Sequence, residues 1–271
     1  MFKILILFNI VASTLMYLYL HKKTRMNIRY LYMDNLAVII LVSLLSYMFY
    51  EFLFNAADVY IRVIGSVIIP VFFIPVFGYA FTMIRFWRTP IRKVKSKQNE
   101  IISPVDGNVL YIKEIEKGNI PVSIKRGLKA KLTELTDTEI INGPVWLIGV
   151  NMTPFDVHKN CTPVAGKVIL NKHIKGEFLS LKHPESILRN ERNTLVIKTE
   201  ENELFGIIQT ASKMVRRIDS YVSTGDNLKQ GQWFGMIRFG SQVDIILPVT
   251  YDIKIKVKQQ LYAIKTIIAK K

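Results

Sequence analysis

The seven residues Ser103-Pro-Val-Asp-Gly-Asn-Val109 return 59 residues later as Thr162-Pro-Val-Ala-Gly-Lys-Val168. Both copies read Ser/Thr-Pro-Val-x-Gly-x-Val: proline presets the turn, glycine supplies backbone freedom, and valine opens a strand. Two similar β units facing each other follow from the repetition. Outward from these turns, the chain beyond residue 97 breaks into short β-rich stretches separated by Gly, Pro or Asn. They are Asn108–Ile112, Val145–Val150, Lys167–Leu170, Thr194–Thr199, Leu204–Thr210, Met236–Phe239, Val243–Leu247 and Tyr251–Lys258. The last alternates cleanly, with Tyr251, Ile253, Ile255 and Val257 on one face and Asp252, Lys254, Lys256 and Lys258 on the other. Helical pattern is confined to parts of 176–190, to Ala211–Ile218 and to Gln259–Ala269.

The first third is of another kind. Phe2–Leu20, Leu36–Phe54 and Val63–Ile84 are apolar runs, each about the 20 residues that a bilayer-spanning helix needs. His21-Lys22-Lys23 follows the first run where a signal peptide would carry small residues, so the run reads as a retained anchor. Pro70 and Pro75 mark the third run as a kinked or re-entrant piece. Lys22, Lys23, Arg25 and Arg29 flank the first run, and residues 85–97 hold six Lys or Arg and no acid. Three spans put both basic segments on one side, which the positive-inside rule makes cytoplasmic; two spans plus an interfacial first helix is the alternative. Residues 1–97 are therefore expected to anchor a cytoplasm-facing domain, 98–271, to the cell membrane.

The net charge of +16 divides into +9 for residues 1–97 and +7 for the remainder. The basic segments abut the spans, where attraction to anionic lipid explains them, and no helix-turn-helix, zinc-finger or RNA-binding pattern accompanies them. A nucleic-acid partner is not expected. A single cysteine, Cys161, excludes an intrachain disulfide, and four histidines argue against a metal cage. Between the repeated turns the informative difference is Asp106 against Ala165, because turn geometry does not require that carboxylate. His158 lies just before the second turn, and Ser241 follows Gly240 between two strands. Taken singly, each has a bland reading, a structural histidine and a turn serine. An Asp, a His and a Ser in three separate segments suggest an activated serine, without the Gly-x-Ser-x-Gly elbow of a conventional hydrolase.

On these residues and their neighbours the chain resembles the pyruvoyl-dependent phosphatidylserine decarboxylases in their short prokaryotic form. The motifs carrying the resemblance run in order from Phe86-Trp-Arg-Thr-Pro-Ile-Arg92 through Ser103–Val109, Thr153-Pro-Phe-Asp-Val-His158 and Pro163-Val-Ala-Gly166. Asn190-Glu-Arg-Asn193, Gln209 with Arg216-Arg217-Ile218, and Gly235-Met-Ile-Arg-Phe-Gly-Ser241 complete them. The resemblance implies self-cleavage between Gly240 and Ser241 into a large chain 1–240 and a small chain 241–271. The Ser241 hydroxyl attacks the Gly240 carbonyl to give an ester. Loss of the Ser241 α-proton expels the Gly240 carboxylate, and the dehydroalanine left behind hydrolyses to ammonia and a covalent pyruvoyl group. His158, oriented by Asp106, matches the base. The mature activity implied is decarboxylation of phosphatidylserine in the membrane to phosphatidylethanolamine, through a Schiff base between the pyruvoyl group and the substrate amine, with no metal. An ether-linked archaetidylserine substrate is the alternative. Arg88, Arg92 and Lys93 would lie near the headgroup plane. Two positions depart from the expected pattern: Phe155 where a second histidine is anticipated, and Gln242 after the serine.

The fold implied is mainly β, two lipoyl-like β units forming a sandwich or barrel, with N-terminal transmembrane helices and a few short helices. A rival of another class is a membrane-anchored lipoyl- or biotinyl-carrier module, since Val222-Ser-Thr-Gly-Asp-Asn-Leu-Lys-Gln-Gly231 resembles one such half; no lysine sits in a convincing carrier hairpin. A homo-oligomer is left open.

Overall fold

The computed structural model describes every residue except 1, 25, 27, 55–57, 98, 118–121, 126–127, 214–216 and 239–240. The chain divides into two compact units, Met1–Phe86 and Trp87–Lys271.

In the first unit the three apolar runs form helices α1 (Phe2–Thr24), α2 (Ile28–Phe54) and α3 (Val59–Trp87), each long and apolar enough to cross a membrane. The third run is one continuous helix with Pro70 and Pro75 inside it, and not a re-entrant piece. Each proline removes one N–H donor, which spanning helices tolerate because neighbouring groups satisfy the freed carbonyls. The outward positions of the helices are largely apolar, and a few polar side chains are buried among apolar ones such as Leu5, Val38 and Val42. Ile4, Leu7, Leu15, Leu36 and Leu44 are exposed, whereas Asn9, Ser13, Asn35 and Ser46 are buried. Ser13 Oγ donates to Asn35 Oδ1 (2.6 Å), Asn35 Nδ2 to Thr14 Oγ1 (3.0 Å), and Asn9 Nδ2 to Ser43 and Ser46 (3.3 and 3.4 Å). These bonds join α1 to α2. Asp34 of α2 takes a bidentate ion pair from Arg85 of α3, whose guanidinium also lies over the Tyr30 ring.

The second unit is mainly β. Its strands are β1 (Glu100–Ile102), β2 (Gly107–Ile115), β3 (Val122–Lys125), β4 (Leu128–Ala130), β5 (Val145–Met152), β6 (Lys159–Cys161), β7 (Gly166–Ile174) and β8 (Arg192–Lys198). Then follow β9 (Leu204–Ala211), β10 (Ile218–Ser220), β11 (Asn227–Leu228), β12 (Trp233–Ile237), β13 (Ser241–Pro248), β14 (Asp252–Ile253), β15 (Gln260–Leu261) and β16 (Ile267–Lys270). Helices α4 (Leu132–Thr136) and α5 (Ser186–Arg189) are short. An eight-stranded antiparallel sheet runs β11-β7-β8-β9-β13-β5-β2-β15, beside three-stranded sheets β1-β16-β14 and β10-β12-β6.

The order of the large sheet reads as a palindrome about its β9–β13 pair, and the two small sheets correspond strand for strand. One copy is β6–β12, continuous in sequence; the other is β1, β2, β5 and β13–β16, with the first copy inserted between β5 and β13. The turns that echo in sequence are equivalent in structure. A Cβ on Gly107 would stand 2.4 Å from Asn151 O, and one on Gly166 2.4 Å from Lys198 O, so each strand needs glycine for close backbone approach. Both strands bulge three residues on, after Val109 and after Val168. The valine N–H groups donate to matching carbonyls, Gln259 O (3.0 Å) and Asp226 O (2.8 Å).

One core fills the face of the large sheet that carries Val150, Val168, Ile197, Phe205, Ile207, Val243 and Ile245, with Phe234 of β12 in the same cluster. The opposite face packs Leu147, Val196, Ile208 and Ile246 with Leu132 and Leu135 of α4 and Ile187 of α5. Each fully buried Leu or Ile contributes about 1.5–3 kcal/mol. Three expectations need correction. Within Tyr251–Lys258 only Asp252–Ile253 is strand, because Lys258 turns the chain in the left-handed region (φ 71°) into β15; alternation there reports burial of Tyr251 and Ile255, not an extended ladder. Gln259–Ala269 is β15, a turn and β16 rather than helix: Leu261 pairs with β2, Ile264 stands in the turn (φ 69°), and Ile268 lies in β16 against β1. Ala211 and Ile218 lie in strands β9 and β10, with no helix among the described residues between them, and α4 had no counterpart in the pattern.

Candidate active site

The chain crosses between the two copies twice, from β5 to β6 and from β12 to β13. His158 lies on the first crossing and Ser241 ends the second. The crossings touch, because Ile237 N donates to His158 O (3.1 Å), and Ser241 pairs with Met152, the last residue of β5, on one side and Ala211 on the other. Phe239 and Gly240 lie outside the described residues, so the linkage expected to break is not among the described geometry.

The β5–β6 crossing is built on Thr153-Pro-Phe-Asp156. Asp156 N donates to Thr153 O (2.9 Å), and Asp156 Oδ2 accepts in return from Thr153 N (2.7 Å) and Oγ1 (2.8 Å). Gln260 Nε2 holds the other carboxylate oxygen (3.0 Å). This closed turn aims the Asp156 carbonyl at His158 Nδ1, 2.9 Å away. A carbonyl only accepts, so Nδ1 carries the proton and Nε2 the lone pair. Burial pulls the His158 pKa down to about 3; the Asp156 carbonyl opposes the shift and the Arg88 guanidinium adds to it. The imidazole is therefore neutral at ordinary pH and has the form of a base. Arg88 itself donates to Phe155 O (2.8 Å). Burial pushes the Asp156 carboxyl up, against the pull of its Thr153 bonds, and Asp106 adds to the rise.

Ser241 is fully buried, and its Oγ donates to the Met152 thioether at 3.0 Å, a weak acceptor. Behind it, Gln242 Nε2 donates to Tyr111 Oη and to both Asp244 carboxylate oxygens (3.0 Å each), and Tyr111 Oη donates to Asp244. Burial first, then Asp244, pushes the Tyr111 hydroxyl well up. Gln242 is thus a buried member of a network that fixes the start of β13.

Asp106 is buried, but its hydrogen bonds go elsewhere than expected. It takes a two-pronged ion pair from Arg92 (Nη2 to Oδ2, 2.8 Å) and the N–H of Ala263 (2.7 Å), while Arg92 also donates to Ala263 O (2.8 Å). Among the described residues His158 is oriented by the Asp156 carbonyl, and no hydrogen bond joins Asp106 to His158 or Ser241 to His158. Arg88 and Arg92, expected near the headgroup plane, are engaged inside the domain. Asp156, Gln260 and Met152 were missed as site residues; the Thr-x-x-Asp spacing at 153–156 was the readable signal for the first. Among the described residues no group of three His, Cys, Asp or Glu forms a metal site.

The second unit is mainly β, with a buried serine at the start of β13 and a buried, neutral histidine on the β5–β6 crossing. The family model for phosphatidylserine decarboxylase matches residues 79–269. A protein of Methanocaldococcus jannaschii, provisionally named an archaetidylserine decarboxylase proenzyme, is 38% identical over 188 residues, 69% of this chain and 88% of its own. Phosphatidylserine decarboxylase proenzymes of Cytophaga hutchinsonii (34% over 187 residues, 69% of this chain and 76% of theirs) and Geobacter metallireducens (32% over 212, 78% and 88%) are similar. The chain belongs to the phosphatidylserine decarboxylase family.

Proposed function

We propose that this chain is a proenzyme that cuts itself between Gly240 and Ser241 and then decarboxylates phosphatidylserine in the membrane to phosphatidylethanolamine. The observation that supports this reading is the hydrogen bond from Ile237 N to His158 O, which joins the crossing that carries a histidine held neutral to the crossing that ends at the buried Ser241. In the self-cleavage His158 takes the Ser241 proton as Oγ attacks the Gly240 carbonyl, and Asp106 acts by tying Arg92 and Ala263 beside the Asp156 turn. The surroundings of Ser241 suit an uncharged ketone. Its backbone is paired on both sides, so a new chain start there stays in register, and its side chain faces a thioether rather than a charge. The pyruvoyl group formed there supplies a carbonyl that captures the substrate amine and accepts the electrons released as carbon dioxide leaves. His158, once it has taken a proton on Nε2, would return that proton to the product carbon.

Residues 1–97 anchor the enzyme through three spans and 98–271 face the cytoplasm, supported by the basic flanks of α1 and α3. The two structurally repeated units are read as lipoyl-like. The archaeal relative's name supports a second reading, an ether-linked archaetidylserine substrate. Denaturing electrophoresis and the intact mass of the small fragment test the proposal. A fragment spanning 241–271 with a blocked start is expected, and a Ser241→Ala chain must remain whole. A purified wild-type chain that stays unbroken overturns it. Headgroup-matched ester and ether lipids then separate the two substrates.

A further inference from the structure

Two cavities of about 610 Å³ open on the second unit. The first, around the second echoed turn, is balanced in charge, with Lys97, Lys167 and Lys198 facing Glu100, Glu200 and Glu203. The other lies on β10, β12 and β6 and is not balanced. Lys159, Arg217 and Arg238 line it with one carboxylate, Asp219, beside Trp87 and Tyr221.

Asp219 spends one oxygen on each arginine, Oδ1 on Arg217 Nε and Oδ2 on Arg238 Nε, both at 2.9 Å. That leaves the terminal nitrogens of two guanidinium forks anchored side by side. Lys159 is half-buried, and its ammonium has no ion pair or hydrogen bond among the described residues. Three cations held together against one carboxylate repel one another unless an anion enters, and paired forks match the oxygens of a phosphate better than a lone carboxylate. The aromatic side of the cavity is equally specific. Trp87 is the last residue of α3 and stacks under Arg238, 5.7 Å from its ring centre, and a tryptophan at a span end sits at headgroup level. In sequence, two of its cations flank the candidate catalytic residues: Lys159 follows His158 and Arg238 stands three residues before Ser241.

We infer that Lys159, Arg217 and Arg238 seat the phosphodiester of the substrate lipid, with Trp87 and Tyr221 against its glycerol part. This rests on the decarboxylase reading for the identity of the lipid, though not for the existence of an anion site. Arg88 and Arg92 are unsuited to the task, being committed to Phe155 O and to Asp106.

The test uses the full chain in non-ionic detergent. In the uncleaved Ser241→Ala form, calorimetry with glycerophosphoserine should show saturable binding, weakened about tenfold or more by Lys159→Gln with Arg217→Gln and unchanged by Lys256→Gln. In the cleaving form the same double substitution should leave fragment formation intact and raise the KM for short-chain phosphatidylserine about tenfold, with kcat within about twofold. Unchanged affinity and KM overturn the site, as does a fall in kcat at constant KM. Inorganic phosphate competing as well as the diester assigns the groove to a free anion and overturns the lipid assignment. Diester binding through Lys159 and Arg217 in a chain that releases no carbon dioxide keeps the site and rejects the decarboxylase reading; decarboxylation with unaltered KM does the reverse.

Discussion

At His158 the surroundings decide which half of proton chemistry is available. An imidazole with a folded pKa of about 3 stays neutral while the unfolded chain takes up a proton near its ordinary 6.5. Its stabilising contribution is therefore complete above about pH 6.5 and is lost as pH falls toward 3. Asp156 has the opposite sign, since a raised carboxyl favours the folded state at low pH. The net expectation is measurable: thermal midpoints of the uncleaved Ser241→Ala chain near pH 7 and pH 4 should differ by less once His158→Gln is added. The self-cleavage rate, in turn, should show no inflection near pH 6.5, because the base is already neutral; a step there would place His158 in a wetter setting. Asp106 allows a sharper prediction. Arg92 and Asp106 are both nearly buried (side chains 8% and 2% exposed), and breaking a buried pair from one side strands a charge at a cost of about 3–5 kcal/mol. Asp106→Asn should lower the melting temperature more than Asp106→Leu combined with Arg92→Met, read by thermal unfolding of the uncleaved form.

At the scale of elements, the two echoed turns supply an internal control. Alanine at Gly107 or Gly166 drives a Cβ into a facing carbonyl at the same 2.4 Å, and Gly107 also has a φ of 155° that a side chain resists. Each substitution should cost about 1–3 kcal/mol or more. Only Gly107→Ala adjoins the Asp106–Arg92 knot, so fragment formation should slow in that variant and persist in Gly166→Ala, as electrophoresis over time would report. The repeat was legible because a turn is a local device, written in five or six consecutive residues. The apolar spans were legible for a similar reason, since each is long and uninterrupted. What joins elements was not: Gln260 finds Asp156, and Gln242 finds Tyr111, only after strands far apart in sequence are aligned, and Arg92 finds Asp106 only once the segment after α3 lies against the first echoed turn. Local pattern also misled where burial imitates periodicity, as at Leu261, Ile264 and Ile268, whose spacing suits a helix although neighbouring strands bury them.

For the molecule as a whole, the insertion of one β copy inside the other explains where a chain can be cut without coming apart. Residues 241–271 carry β13, β14, β15 and β16. β13 lies in the middle of the large sheet, paired along eight residues with β5 and along six with β9. β15 closes one edge of that sheet against β2, and β16 sits between β1 and β14. Val243, Ile245 and Leu247 are fully buried in one core and Ile246 in the other. A peptide so interleaved has no path out short of global unfolding, since removing β13 would split the sheet at the axis between the copies. The two fragments should therefore co-purify through size exclusion in detergent. They should separate only across the same denaturant transition that exposes Trp146 and Trp233, observed by fluorescence. Dissociation of the small fragment well before that transition would mean that β13 is held more loosely than its pairing requires, and that the inserted copy can close a core without it.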